Sequence, residues 1–276
     1  MSVAPLVEFD DVSLHFGSTP ALDHVSFKMG PGETRVVFGA AGSGKTVLLK
    51  VAVGLQKPDS GRVLLFGEDI TRMSEHKLFD LRARVGILFQ EGALFDSLTI
   101  EDNVAYPLEN QRALRVPKTK ESRSIEERVR ETLRFVELED TMTKVPSELS
   151  GGMRRRVGIA RAVVTQPELV LYDSPTAGLD PITAHTIITL ILKERDMRNT
   201  AAIMVTHRYQ DGQLMANFRY NPNSGDIERA PRGSEETVDT KFLIMQEGRL
   251  VFQGSEAEFL ANQDPYVRKF AKPGAS

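Results

Sequence analysis

The stretch GAAGSGKT, Gly39 to Thr46, fits the pattern GxxxxGK[ST]. In that arrangement glycines let backbone N–H groups close around phosphate oxygens, and a helix start adds its positive end. A lysine such as Lys45 reaches the outer phosphates, and Thr46 offers a hydroxyl to magnesium. A second stretch, LVLYDSPTAGLD from Leu169 to Asp180, runs four apolar residues into Asp173, Ser174 and a proline-glycine turn. A buried parallel strand delivers a carboxylate to the end of a sheet in this way. Asp173 would hold magnesium through water, opposite Thr46. Taken alone, Asp173 reads equally well as a cap for the turn that follows.

The elements around these residues suit that chemistry. TRVVFG before the glycine loop is a short β-branched run, and KTVLLKVAVGL after it has helical spacing closed by Gly54. Strand, glycine loop and helix form the first half of a βαβ unit. RVGILFQ, ELVLYD and AAIMVTH supply further buried strands, so the expected fold is α/β with a mostly parallel core sheet. VEFDDVSLHF and HVSFKM alternate polar and apolar residues and read as an antiparallel β edge with one wet face. The eighty or so residues between ILFQ and ELVLYD have helical periodicity instead and predict an inserted helical subdomain. There Ser124 and Glu127 form a capping box ahead of Ile125, Val129, Leu133 and Val136, which share one face. Ser150 caps GGMRRRVGIARAVV, and Asp180 with Pro181 starts a further helix. NPNSGDIERAPRGSEE predicts an inserted surface loop or hairpin at 209–240. KFLIMQEGRLVFQG reads as a strand pair, and SEAEF opens a terminal helical segment through DPYVRKF. The expected division is a core lobe at 1–89 and 160–254, a helical subdomain at 90–159 and a C-terminal helical segment at 255–276.

Composition narrows the function classes. The chain of 276 residues has 41% hydrophobic residues, enough for a core without staples, and it has no cysteine, which excludes disulfides and thiolate metal sites. A net charge of -3 gives no bulk electrostatic case for nucleic acid, and no nucleic-acid partner is expected. No apolar run reaches the length of a membrane span, and the first residues carry Asp and Glu where a signal peptide would carry Lys and Arg. The cytoplasm is the expected compartment, and a membrane role would work through a partner.

LSGGMRRRVGIARA beside LVLYDSPTAGLD resembles the signature helix and Walker B region of the ATP-binding cassette (ABC) ATPases, with LSGGM at the position of that family's LSGGQ. The resemblance spans residues 6–254 and implies a P-loop NTPase fold with ATP and Mg²⁺ as cofactors. It implies that Gly39, Ala40, Ala41, Gly42, Ser43, Gly44, Lys45 and Thr46 cradle the phosphates. It also implies a head-to-tail pair of subunits, in which Ser150, Gly151 and Gly152 of one grip the γ-phosphate held by the other. A serine cap and glycine N–H groups at a helix start are a physically reasonable anion site, although LSGG by itself is an ordinary helix cap. By the same resemblance Gln90 senses magnesium, water and the membrane partner, and His207 contacts the γ-phosphate. Gly178, Leu179 and Asp180 cross the dimer interface, and Phe16 stacks on adenine. Phe16 could equally be core, and Gln90 and His207 could be plain strand-end polar groups. The metal set implied is Thr46, Gln90 and Asp173.

Ser174 departs from the pattern, because that family normally has a glutamate there to polarise the attacking water. A serine hydroxyl cannot hold a proton at neutral pH, and its oxygen falls roughly 2 Å short of a glutamate oxygen's reach. General-base help, typically worth ~10²–10⁴ in rate, is absent, while Lys45, Mg²⁺, His207 and the partner's signature supply the rest. Three explanations stand: a slow natural ATPase, an ATP-dependent clamp, or a substitution introduced to trap ATP. A further departure is Arg208, where the family usually has an acid.

FQEGALFDSLTIEDNVAYPL, LSGGM and DPYVRKF are similar to the ATPases of Mla-type phospholipid transporters. That resemblance implies a membrane permease and a lipid-binding protein as partners, with the chain bound peripherally at the cytoplasmic face of the inner membrane. The rivals are the ATPase of a small-solute importer, for instance of an amino acid, and a non-transport protein that closes on ATP as a clamp.

Overall fold

The computed structural model describes residues 4–110, 124–231 and 239–271. In chain order the first part holds β1 (Val7–Phe16), β2 (Thr19–Met29), β3 (Thr34–Gly39), α1 (Lys45–Ala52), β4 (Ser60–Leu65), β5 (Glu68–Asp69), α2 (Glu75–Arg82) and β6 (Val85–Leu88). Three helices follow, α3 (Ile100–Asn110), α4 (Ile125–Phe135) and α5 (Gly151–Val163). The chain then returns through β7 (Leu169–Asp173), α6 (Pro181–Arg198), β8 (Ala201–Val205), α7 (Tyr209–Asn217), β9 (Phe218–Asn221) and β10 (Asp226–Arg229). It closes with β11 (Thr240–Gln246), β12 (Arg249–Gly254), α8 (Glu256–Ala261) and α9 (Pro265–Lys269).

The main sheet has the order β12-β11-β3-β8-β7-β6, with β12 antiparallel at one edge and the other neighbours parallel. β3, β7 and β8 are buried along their whole length, as their unbroken apolar runs require of strands covered on both faces. Alternate residues serve opposite faces. Val36, Phe38, Val170, Tyr172, Ala202 and Met204 join a core with the helices α3 to α8, whereas Val37, Leu169, Leu171, Ile203 and Val205 join one with α1, α2 and a second sheet. That second sheet, β2-β1-β4-β5, is antiparallel throughout.

The caps sit where their residues place them. Ser124 and Glu127 complete a capping box on α4, Ser255 and Glu258 one on α8, and Ser150 accepts from the Met153 N–H. Val129, Leu133 and Val136 are fully buried, but Ile125, in the first turn of α4, stays exposed. α5 runs unbroken across residue 159.

The segment expected as a loop or hairpin from 209 begins with helix α7, and only then comes the antiparallel pair β9–β10. Gly212, which by composition suggests a loop, is a packing residue. A Cβ there would lie 2.7 Å from Phe38 Cζ, so glycine is what lets α7 settle against β3 and β11. The portions of the expected core lobe, helical subdomain, insertion and C-terminal segment at 1–3, 111–123, 232–238 and 272–276 lie outside the described residues. No helix among the described residues is long and apolar enough to cross a membrane.

Candidate nucleotide-binding site

Sheet register brings the candidates together. Val37 of β3 and Asp173 of β7 both pair with Val205 of β8, and Leu88 of β6 pairs with Tyr172. Gly39, Asp173, His207 and Gln90 therefore leave four neighbouring strands at the same, carboxyl-terminal end. Open α/β sheets bind ligands in the crevice at that end.

Gly39 to Thr46 turns from β3 into α1. Gly44 caps α1 at φ 100, and the Ala21 carbonyl lies where its Cβ would be, so no other residue fits. Lys45 Nζ donates to the carbonyls of Gly39 at 2.8 Å and Ala40 at 2.7 Å. Burial holds its ammonium below the ordinary lysine pKa, with Asp173 pulling the other way. The loop is braced from behind, because the Gly248 N–H donates to the Ser43 carbonyl at 3.2 Å.

At the mouth of the loop, Thr46 Oγ1 donates to Asp173 Oδ2 at 2.8 Å, and Ser174 Oγ donates to Asp173 Oδ1 at 3.1 Å. Asp173 is buried, and both its oxygens are engaged by hydroxyls. Ser174 has φ 51, a left-handed conformation that costs a non-glycine residue about 1–2 kcal/mol. Arg155, buried on α5, donates to the carbonyls of Ser174 at 3.4 Å and Ala177 at 3.3 Å, and so ties the helix after Ser150 to the turn after Asp173.

Asp180 caps α6. Its Oδ1 accepts from the N–H groups of Ile182 and Thr183, and its Oδ2 accepts from Thr183 Oγ1 at 2.6 Å. The Thr183 hydroxyl first, and these N–H donors after it, hold the Asp180 carboxyl below the usual carboxylate range. Gly152 packs on the same threonine. Among the described residues, Ser150, Gly151 and Gly152 make no hydrogen bond to the Gly39–Thr46 loop of their own chain.

Gln90 opens a one-turn helix at the surface, and no described hydrogen bond joins its amide to Thr46 or Asp173. The turn behind it is fixed by Arg161, which donates to the carbonyls of Gly92 at 2.8 Å and Ala93 at 2.9 Å. The loop at 95–99 is held by Asn103, which is fully buried. Its Oδ1 accepts from the Phe95 N–H, and its Nδ2 donates to the carbonyls of Phe95, Leu98 and Thr99. Phe89, Phe95 and Tyr106 stand partly exposed around a groove with Ile87, Pro107 and Arg161.

His207 is exposed one residue beyond Thr206. Thr206 Oγ1 and Thr176 Oγ1 both donate to Asp211 Oδ2, at 2.7 and 2.5 Å, which locks the turn after β8 to the turn after β7. Arg208 lies 3.8 Å from Asp211, so an acid does stand beside this turn, but it belongs to α7. Phe16 ends β1 and is 53% exposed, as a residue waiting for a flat partner would be and a core residue would not.

These groups suit a nucleotide triphosphate with one divalent cation. A lysine held only by carbonyls needs an anion, and no group of three His, Cys, Asp or Glu among the described residues could hold a metal by itself. One carboxylate with a hydroxyl is how a protein binds Mg²⁺ when phosphates complete the shell.

A family profile described as ABC transporter matches residues 22–177, more than half of the chain. The chain belongs to the ABC transporter family. This cassette is 34% identical over 269 residues to the intermembrane phospholipid transport system ATP-binding protein MlaF of Escherichia coli, covering 98% of the chain and 89% of that protein. It is 36% identical over 267 residues to the methionine import ATP-binding protein MetN of Corynebacterium diphtheriae, covering 95% of the chain and 70% of that protein. A solved dimeric ATP-binding cassette in a post-hydrolysis state, bound to ADP and Pi, superposes with a TM-score of 0.73 at 25% identity, covering 90% of this chain and 98% of that one. The cassette is thus an ATP-binding subunit of the ABC ATPase class.

Sequence reasoning missed Asn103, Arg155, Arg161 and Asp211. Asn103 and Asp211 read as ordinary helix residues. Arg155 and Arg161 fall in a basic helix whose arginines look solvated, and only the spacing of the helix could have shown that two of them face inward.

Proposed function

We propose that the cassette binds Mg-ATP between two copies of itself and couples closure of that dimer to a membrane permease that moves phospholipid. The nucleotide part is carried by one observation: Lys45 sits on the loop's own carbonyls directly beside the Thr46–Asp173 pair, so a phosphate entering the loop gives both groups a partner. Lys45 would exchange two neutral acceptors for charged oxygens, Phe16 would stack on the base, and Gly42 to Thr46 would supply N–H groups. Ser150, Gly151 and Gly152, unused within their own chain, would serve the partner's nucleotide, with Asp180 and its neighbours at the seam. Thr46, Asp173 and Gln90 would hold Mg²⁺, which when bound bridges and neutralises the outer phosphates.

Hydrolysis would be slow. Ser174 reaches only to Asp173 and brings no base to a water, so the ~10²–10⁴ in rate that a positioned base supplies is missing. His207 and Lys45 would still stabilise the charge that develops on the phosphate.

The lipid reading is supported by the near full-length likeness to MlaF. The groove of Phe89, Phe95 and Tyr106 beside Gln90 offers an apolar seat for the permease, which would place the cassette peripherally at the cytoplasmic face of the inner membrane, with a lipid-binding protein in the same assembly. Purification of the tagged cassette in mild detergent, with the co-purifying proteins and lipids identified, tests this reading. An integral permease with bound phospholipid supports it.

The likeness to MetN favours a second reading, the ATPase of an amino-acid importer. A permease recovered without lipid, whose presence makes ATP turnover respond to an amino acid, selects that reading. Recovery of the dimer with no membrane protein selects the clamp.

A further inference from the structure

Tyr266, on α9 at the far end of the chain, touches the phosphate loop. The Ala40 N–H donates to the Tyr266 hydroxyl at 3.3 Å, and that hydroxyl donates to the Met245 carbonyl at 3.0 Å. The N–H of Ala40 and the carbonyl of Gly39 are the two ends of one planar, trans peptide. Tyr266 therefore holds one end of the peptide whose other end accepts from Lys45 Nζ at 2.8 Å.

The rest of the C-terminal segment is anchored so that this contact is rigid. Phe259 of α8 is fully buried and stacks on Phe38, the residue before Gly39, at 5.8 Å between ring centroids, and Phe270 packs at 5.3 Å from the Tyr266 ring. Glu256 accepts from Tyr209 Oη at 2.7 Å and from Asn217 Nδ2 at 2.5 Å, which fixes the same segment to α7, the helix that follows His207.

We infer that Tyr266 is a positioning residue for nucleotide binding, which fixes the Gly39–Ala40 peptide and so presets the loop and the starting point of Lys45. This rests on the reading of Gly39–Thr46 as the phosphate cradle. Ala40 is exposed, so no burial substitutes for the bond, and the hydroxyl alone carries the effect. Preorganisation of this kind alters ground-state affinity and leaves the chemical step alone.

The test is Tyr266→Phe, which keeps the ring and its packing on Phe270. Affinity for a fluorescent ATP analogue and for the matching ADP analogue should fall by the same factor, about 2- to 10-fold, the equivalent of one neutral hydrogen bond. KM should rise by that factor with kcat unchanged, and the melting temperature should stay within about 2 °C. In amide hydrogen exchange the Ala40 N–H should be protected in the native protein and exchange faster in Tyr266→Phe. This second readout stands even if the variant's stability changes. Unchanged affinity, a lowered kcat at unchanged KM, or an Ala40 amide that exchanges equally fast in both proteins would overturn the inference. If the native protein binds neither nucleotide, the reading of the loop itself fails.

Discussion

Thr46 Oγ1 donates to Asp173 Oδ2 at 2.8 Å, which joins residues 127 positions apart and fastens the first turn of α1 to the end of β7. This pair is the expected seat of a divalent cation, and the first prediction concerns it. Thr46→Val keeps the shape and removes the hydroxyl. Mg²⁺-dependent ATP affinity should fall by about 10- to 100-fold, the equivalent of one hydrogen bond to a charged group, while affinity measured in chelator should change little. Isothermal titration with and without Mg²⁺ separates the two. An equal loss in both would mean that the threonine serves only the loop's shape.

Gly152 faces Thr183, and a Cβ on Gly152 would lie 2.5 Å from Thr183 Cγ2 while the other side-chain atoms of Thr183 stay 3.8 Å away. Gly152→Ala should therefore impair ATP-driven dimerisation by pushing the start of α6, with no backbone N–H lost. Adding Thr183→Ser removes the clashing methyl and keeps a hydroxyl for Asp180, so the double variant should recover most of the dimer seen by light scattering. If it recovers nothing, side-chain space at Gly152 matters for the partner's nucleotide and not for α6.

Asn103 satisfies four backbone groups around the 95–99 loop from a fully buried position. Asn103→Ala should cost about 2–3 kcal/mol of stability, since the Phe95 N–H and several carbonyls lose their partner in a buried setting. Urea denaturation reads that loss. Because the loop carries Phe95 at the groove, permease recovery in detergent should also fall, whereas ATP affinity should not.

Much of the site was legible because its signals are local. Strand, glycine loop and helix around Lys45, and the caps at Ser124, Ser150, Asp180 and Ser255, are each written within a few adjacent residues. What escaped depends on topology. Arg155 reaches carbonyls 19 and 22 residues away, and Tyr266 meets Ala40 across 226 residues. Gly212 misled for a related reason: a glycine that breaks helices in isolation is required where α7 lies against Phe38.

Glu194, fully buried on α6 and paired with Arg198, predicts a pH dependence. Burial pushes its carboxyl above the ordinary glutamate value near 4.5, and Arg198 only partly opposes this. A raised folded-state pKa means that the group's contribution to stability is fully present below the unfolded value and is lost as pH rises through the folded value. Glu194→Gln has no such loss, so its stability relative to the native protein should rise between pH 4.5 and pH 8. Chemical denaturation of both proteins across that range checks the sign, and a difference that shrinks with pH would contradict it.

The central claim is that Ser174 leaves the site able to bind ATP but without a base. Its φ of 51 costs any non-glycine residue about the same, so Ser174→Glu adds a carboxylate without new backbone strain. The direct measurement is single-turnover ATP hydrolysis by the native protein and by Ser174→Glu, at saturating Mg-ATP and equal dimer concentration. The account predicts unchanged ATP affinity and a rate at least about tenfold higher for the glutamate variant, with ~10²–10⁴ as the full range for a positioned base. A native rate equal to or above that of Ser174→Glu would contradict it.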